Sequence, residues 1–418
     1  MRTIIDLLQH HEDRRWSTIN LVASENVLSP AAQTALSSDL AHRYCIPPEN
    51  ERPPGLWDYP NQYLIRQILE RTQSLARDVY HGAFSDVRPL SGNNAVGIVL
   101  KALLQKGKTI YSVPRQCGGH FSTQEISVRE GFQRLDIPYD LQHGSIDFQQ
   151  LREECRRQPP DLVLLDASMQ LFPHPLREIR DAVGPDVTIS YDASHTFGLI
   201  GGGRFQDPLK ETADLIHGST HKSLFGPQKG MIVCKSDNEV AHKISEIITP
   251  YFVSNMHCHH IAALGIALEE IVMYGAEYAD QVIRNARALA RHLYDGGVDV
   301  AFPERGFTDC HQVFCSIGTK EKAMNWNDRL EKAGIHANLI RIPFRDNEFG
   351  VRLGVCEITR RGMREKEIEE LSDLLRRLFM GESIDLIAHE VAMLSKRFQG
   401  VQYTVSSEHP LIAGTGSH

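Results

Sequence analysis

Lys222 lies in the stretch Ser219-Thr220-His221-Lys222-Ser223-Leu224-Phe225-Gly226-Pro227, and upstream of it an apolar run ends in Tyr191-Asp192-Ala193-Ser194-His195. A lysine flanked by Ser and Thr before a glycine turn can hold an aldehyde cofactor as a Schiff base. An aspartate at a strand end can keep a pyridine nitrogen protonated, so that the ring accepts carbanion electrons. Together they point to pyridoxal phosphate (PLP) and to amino-acid chemistry. Taken singly, an exposed loop lysine and a helix-capping aspartate are the commoner occurrences. Two more segments join them. Ser91-Gly92-Asn93 opens a predicted helix with small residues, whose free N–H groups and dipole favour a phosphate. Cys117-Gly118-Gly119-His120 follows a predicted strand and could lay an imidazole flat on an aromatic ring. Phosphate cup, stacking ring, acid and lysine occur in that order, each at a strand-to-loop junction. The conjunction, more than any one residue, favours a functional site.

Alternating helices and strands must position these groups. Apolar spacing predicts helices over 30–44 and 61–80, and another opening at 91–94 and running to 104. Short apolar runs at 109–113, 162–165, 187–191, 215–217 and 231–234 read as buried strands of a mostly parallel sheet, an α/β architecture. From 259 a long helix runs towards 293 and is stopped by Gly296-Gly297. Beyond it come strands at 313–317, 339–342 and 351–353 and helices at 364–380 and 384–398, the pattern of a smaller α+β domain. The expected organisation is an N-terminal arm (1–28), a large domain (29–275), a small domain joined by the long helix (276–400) and a tail (401–418).

A chain of 418 residues exceeds one compact core, and 41% hydrophobic with 23% charged residues is the balance of a soluble globular protein. Net charge is −8 and no dense basic run occurs, which argues against nucleic acid. No apolar run reaches membrane-spanning length, and Met1-Arg2 leads into a polar, helix-like segment rather than a signal peptide, so the expected location is cytoplasmic. The eight cysteines are scattered and read as reduced, mostly buried thiols. Met256-His257-Cys258-His259-His260 resembles a metal site only superficially, since adjacent ligands do not easily converge on one ion. No metal is expected.

From about position 19 to 378 the chain resembles the serine hydroxymethyltransferases among the fold-type I PLP enzymes. The resemblance rests on Leu21-Val22-Ala23-Ser24-Glu25-Asn26, Leu90-Ser91-Gly92, Gly118-Gly119-His120, Asp192-Ala193-Ser194-His195, Thr220-His221-Lys222 and Val351-Arg352-Leu353-Gly354. It implies a large domain built on a seven-stranded-type sheet. It implies that Lys222 carries the cofactor, Asp192 pairs with the ring nitrogen, His120 stacks on the ring and His195 supports the ring hydroxyl side. Ser91, Gly92, Asn93 and His221 would surround the phosphate, and Ser168 and Ser219 would lie near the cofactor. Arg352 would clamp the substrate carboxylate with help from Ser24, while Tyr44 and Tyr59 would position the substrate, Tyr59 with a catalytic part. It also implies at least a homodimer with shared sites. The reaction would make or break the Cα–Cβ bond of a β-hydroxy-α-amino acid, with an aldehyde as second partner.

Several positions depart from the family pattern. The family carries a glutamate in a Glu-Gly-Tyr-Pro-Gly setting after the tyrosine matched by Tyr44, and it handles protons in the folate-dependent reaction. Here Tyr44-Cys45-Ile46-Pro47-Pro48-Glu49-Asn50-Glu51 follows, with extra residues before Tyr59; Glu49 or Glu51 would take that glutamate's place only if the loop folds inward, and a proline-stiffened solvent loop is the alternative. Cys117 replaces the first histidine of His-Gly-Gly-His, Asn93 a serine, and Gln228 an arginine. The cofactor side is kept while the folate side is rebuilt, so tetrahydrofolate is doubtful and a folate-independent aldolase or transaldolase is favoured. Folate-dependent serine–glycine conversion, another reaction of the same carbanion (decarboxylation, oxidation, transamination) and a non-catalytic PLP-binding regulator stay as alternatives.

Overall fold

The computed structural model describes residues 2–46 and 59–405. The chain divides into two compact units, Leu28–Ala276 with the chain from Thr404, and Met1–Val27 with Glu277–Tyr403. Four helices are labelled here: α1 (Ile4–Trp16), α2 (Gly92–Leu103), α3 (Phe121–Glu130) and α4 (Cys258–Asp295).

The larger unit is built on a seven-stranded sheet of β1 (Phe84–Asp86), β2 (Thr109–Ser112), β3 (Gln133–Asp136), β4 (Leu162–Leu165), β5 (Thr188–Asp192), β6 (Leu215–Ser219) and β7 (Gly230–Cys234), in the order β1-β7-β6-β5-β4-β2-β3. The run from β3 to β6 is parallel, and β7 is antiparallel to both of its neighbours. This is the fold-type I α/β architecture that the resemblance implies. β4 and β7 are buried at every residue, which is why they read as unbroken apolar runs. On one face Val96 and Leu100 of α2 pack with Ile110, Leu162 and Leu164. That contact ties the start of α2 to the strand ends beside it.

Two edge strands escape the sequence pattern. β3 is half-exposed throughout and carries no apolar run, and β1 is only three residues long. The helix expected over 30–44 stops at Leu36. There the hydroxyls of Ser37 and Ser38 bond back to the carbonyls of Gln33, Thr34 and Ala35, and the chain continues as a 3-10 turn over Asp39–His42. The long helix is one element of 38 residues.

The second unit holds a four-stranded antiparallel sheet of β8 (Asp299–Val300), β9 (Gln312–Gly318), β10 (Asn338–Arg341) and β11 (Phe349–Gly354), ordered β8-β9-β11-β10. The first residues of the chain belong to it rather than forming a separate arm. Ile19-Asn20 pairs in parallel with Ile335-His336, Arg15 holds the buried Glu357 at 2.9 Å, and Arg361 lies over the Trp16 ring. Of the expected tail (401–418), the residues from 406 lie outside the described residues, while Gln402 N donates to Arg360 O at 2.7 Å and the Tyr403 ring packs against Tyr278. No helix among the described residues is long and apolar enough to cross a membrane.

Because Leu164 is fully buried under α2, Leu164→Ala should lower stability by about 2–5 kcal/mol. The urea unfolding midpoint, compared with that of the unsubstituted protein, measures it.

Candidate active site

The carboxyl ends of parallel strands leave backbone groups and polar side chains facing a shared crevice. In the larger unit that crevice is a cavity of about 240 Å3 lined by Ser91, Gly92, Asn93, His120, Ser168, Asp192, His195, Ser219, His221 and Lys222, together with Val96, Asp166, Ala167 and Ser194. All ten residues singled out from the sequence for cofactor binding meet there.

The start of α2 forms one wall. Ser91 caps the helix by accepting the N–H of Asn94 at 3.1 Å, and the first-turn N–H groups of Gly92 and Asn93 have no acceptor within the helix. Gly92 has to be glycine because a Cβ there would sit 2.7 Å from the amide nitrogen of Ser219. The cup and the end of β6 therefore touch backbone to backbone. Two buried polar atoms on this wall, Ser219 Oγ and His221 Nδ1, have no hydrogen-bond partner among the described residues. Buried groups of this kind are rarely left unmatched, and both fit a phosphate arriving at the cup. Burial, with the Lys222 charge adding, pushes His221 down to about 4, so its imidazole is neutral.

Lys222 sits in the turn between β6 and β7. Thr220 closes that turn through its hydroxyl, which donates to Pro227 O at 2.7 Å, and through its amide, which donates to Lys229 O at 3.0 Å. The Lys222 carbonyl accepts the N–H of Phe225. Asp192 ends β5, where its Oδ1 accepts the Ser194 N–H at 2.8 Å, and Ser194 Oγ in turn accepts the Ser219 N–H at 2.9 Å. Acid and lysine are thus fixed from adjacent strands.

His120 enters from the loop after β2. It caps α3, with Nδ1 accepting the Ser122 N–H at 3.3 Å and lying 2.6 Å from Ser122 Oγ. A ring nitrogen that accepts is unprotonated, which agrees with burial holding the His120 pKa below its ordinary value. Gly118 lets the loop fold back: its φ is +97°, and a Cβ would lie 2.5 Å from Met169 O. The carbonyl of Gly118 accepts from Ser168 N at 2.9 Å and Ser168 Oγ at 3.2 Å.

Asp166 was not singled out from the sequence. It follows β4, is 1% exposed and lines the same cavity. Burial pushes its carboxyl up to about 7; the Thr123 hydroxyl opposes the rise, and the Asp192 charge adds to it. The only hint in the sequence is an aspartate ending the run Leu162-Val163-Leu164-Leu165.

Tyr44 and Tyr59 are not among the described residues that line this cavity. Their rings stack on each other at 5.3 Å with an interplanar angle of 25°. Gln62 bridges the stems beneath them, its Oε1 accepting Ile46 N at 3.1 Å and its Nε2 donating to Tyr59 O at 2.5 Å. Glu49 and Glu51 lie outside the described residues. Ser24 and Arg352 belong to the other unit. There Arg352 Nη2 and Nε donate to Asn338 Oδ1 on the neighbouring strand at 2.8 and 3.3 Å, and burial lowers the guanidinium pKa to about 10. Gly354 N, just beyond Arg352, donates to Leu21 O just before Ser24. Among the described residues no three His, Cys, Asp or Glu side chains form a metal-binding group. The rings of His257, His259 and His260 pack on one another at 4.4–6.0 Å between centroids.

The family model described as serine hydroxymethyltransferase matches residues 2–375. A serine hydroxymethyltransferase of Methanothermobacter thermautotrophicus is 37% identical over 96% of this chain and 94% of that protein. The one from Methanopyrus kandleri is 35% identical over 100% and 97%. Among solved structures, L-threonine transaldolase from Pseudomonas fluorescens in its internal aldimine state superposes with a TM-score of 0.93 at 31% identity, covering 98% of this chain and 95% of that one. The chain belongs to the serine hydroxymethyltransferase family of pyridoxal phosphate-dependent enzymes.

Proposed function

We propose that this protein is a folate-independent aldolase or transaldolase that cleaves the Cα–Cβ bond of a β-hydroxy-α-amino acid, such as threonine, and joins the glycine carbon to a second aldehyde. One observation carries this over folate-dependent hydroxymethyl transfer. Ile46, in the segment where the family pattern carries its glutamate, is 2% exposed and is pinned through its amide to Gln62. An apolar side chain there moves no proton. The likeness to a threonine transaldolase supports the same reading.

The cofactor, when bound, supplies an electron sink for the carbanion at Cα. The chain supplies orientation and electrostatics around it. The N–H groups of Gly92 and Asn93, Ser219 Oγ and the neutral His221 suit the phosphate. Asp192 would keep the proton on the ring nitrogen, and Lys222 would hold the cofactor through its amine. His120, whose Nδ1 accepts the Ser122 N–H, would lay its ring against the cofactor ring. Ser168 and His195 would attend the ring's oxygen side. Arg352, aimed by Asn338, offers its fork to the substrate carboxylate, which selects the Cα bond to be broken. Ser24 assists it.

The same reading includes a homodimer in which a second copy's Tyr44 and Tyr59 complete each site. α1 buries no residue, and Ile4, Ile5 and Leu8 are 80%, 77% and 58% exposed. Such a stripe calls for a covering surface, and each side chain buried is worth about 1.5–3 kcal/mol.

Three measurements test these statements. With L-threonine and an aromatic aldehyde, without folate, the purified enzyme should release acetaldehyde and form a new β-hydroxy-α-amino acid. Conversion of serine to glycine with tetrahydrofolate at ordinary enzyme rates, without that exchange, would reverse the assignment. Lys222→Ala should abolish the visible absorbance that added PLP gives the unsubstituted protein; an unchanged spectrum removes the basis for the cofactor assignment. Ile4→Glu, Ile5→Glu and Leu8→Glu together should convert the dimer to monomer in light scattering, while a dimer that persists assigns the interface elsewhere.

A further inference from the structure

Asp166 lines the cavity yet has no part in the cofactor chemistry above. Its bonds lead elsewhere. Oδ1 accepts the N–H of Val113 at 3.1 Å, just beyond the end of β2. Oδ2 accepts the hydroxyl of Thr123 at 2.5 Å, in the first turn of α3. Its main-chain oxygen accepts the N–H of His120 at 3.0 Å. The segment from Val113 to Thr123 leaves the sheet, doubles back and enters α3, and one carboxylate grips both of its ends. We infer that Asp166 is a positioning residue that closes this segment and so holds the His120 ring at the cofactor cleft.

The residue type fits the task. A carboxyl group has two oxygens that can each accept, so one side chain serves two donors on different elements. Both donors are shielded from water, Val113 being 2% and Thr123 1% exposed, and each would lose its acceptor if Asp166 were removed. Ser122 locks the His120 ring locally by bonding Nδ1. Asp166 locks the loop that carries that capped ring. On this inference the effect of Asp166 passes through His120. A purely electrostatic role beside Asp192 would instead act without His120.

This inference rests on the cofactor assignment above, and the experiment separates the two. PLP is titrated into the apo-protein by equilibrium dialysis for the unsubstituted chain, Asp166→Ala, His120→Ala and the double variant, with thermal unfolding of each apo-protein as a check of folding. A ring stacked on the cofactor is worth about tenfold in affinity. Each single variant should therefore weaken binding about tenfold, and the double variant should be no weaker than either, because both remove the same contact. As a control, Asp166→Ala combined with Ser91→Ala, at the phosphate cup, should multiply the two separate losses. If the Asp166→Ala and His120→Ala losses multiply, or if Asp166→Ala couples to Ser91→Ala as strongly as to His120→Ala, the inference fails. It also fails if Asp166→Ala leaves PLP affinity unchanged. Should Asp166→Ala not fold, Thr123→Val replaces it in the same cycle, since it removes one of the two donors and leaves the carboxylate in place. If the unsubstituted protein does not bind PLP, the cofactor assignment itself is wrong.

Discussion

Two carboxylates, Asp166 and Asp192, stand at the ends of adjacent parallel strands, and much of the larger unit answers to that crowding. Parallel strands deliver their carboxyl ends to one rim, so whatever ends them is forced together. A buried carboxylate is tolerated only with donors around it. Asp192 takes the amide of Ser194, and Asp166 takes an amide and a hydroxyl from two other elements. The loops that supply these donors are the ones that carry His120 and the turn before His195. Satisfying the acids and placing the site residues are one structural event.

The cup at α2 follows the same logic from the other side. Its apolar face is fixed on β2 and β4 through Val96 and Leu100, and Gly92 then lets its first turn press against Ser219. Packing far from any ligand sets where the free N–H groups point. The second unit offers a parallel case, since Arg352 is aimed by Asn338 across a pair of antiparallel strands and not by its own loop.

The residues of the cavity were legible in the sequence wherever chemistry restricts the residue type. Ser-Gly at a helix start, Asp-x-x-His after an apolar run and Lys between Thr-His and Ser are each unusual enough, in that order, to be read. Asp166 was not, because an aspartate after a strand is commonplace, and its role depends on Val113 and Thr123, which only the sheet order brings near. β3 was missed for want of an apolar run, and the pairing of Ile19-Asn20 with Ile335-His336 joins segments too distant in sequence for local patterning to reveal. The break at Ser37-Ser38 reflects side-chain hydroxyls competing with the helix, an outcome that apolar periodicity does not encode.

Gln62 ties Ile46 to Tyr59, and the rings of Tyr44 and Tyr59 rest on each other. The two stems of the intervening segment are therefore joined independently of what lies between them. Lengthening a tethered segment costs only about 0.6 kcal/mol per doubling. The stretch between these two stems can therefore change in length at little cost to the fold around them.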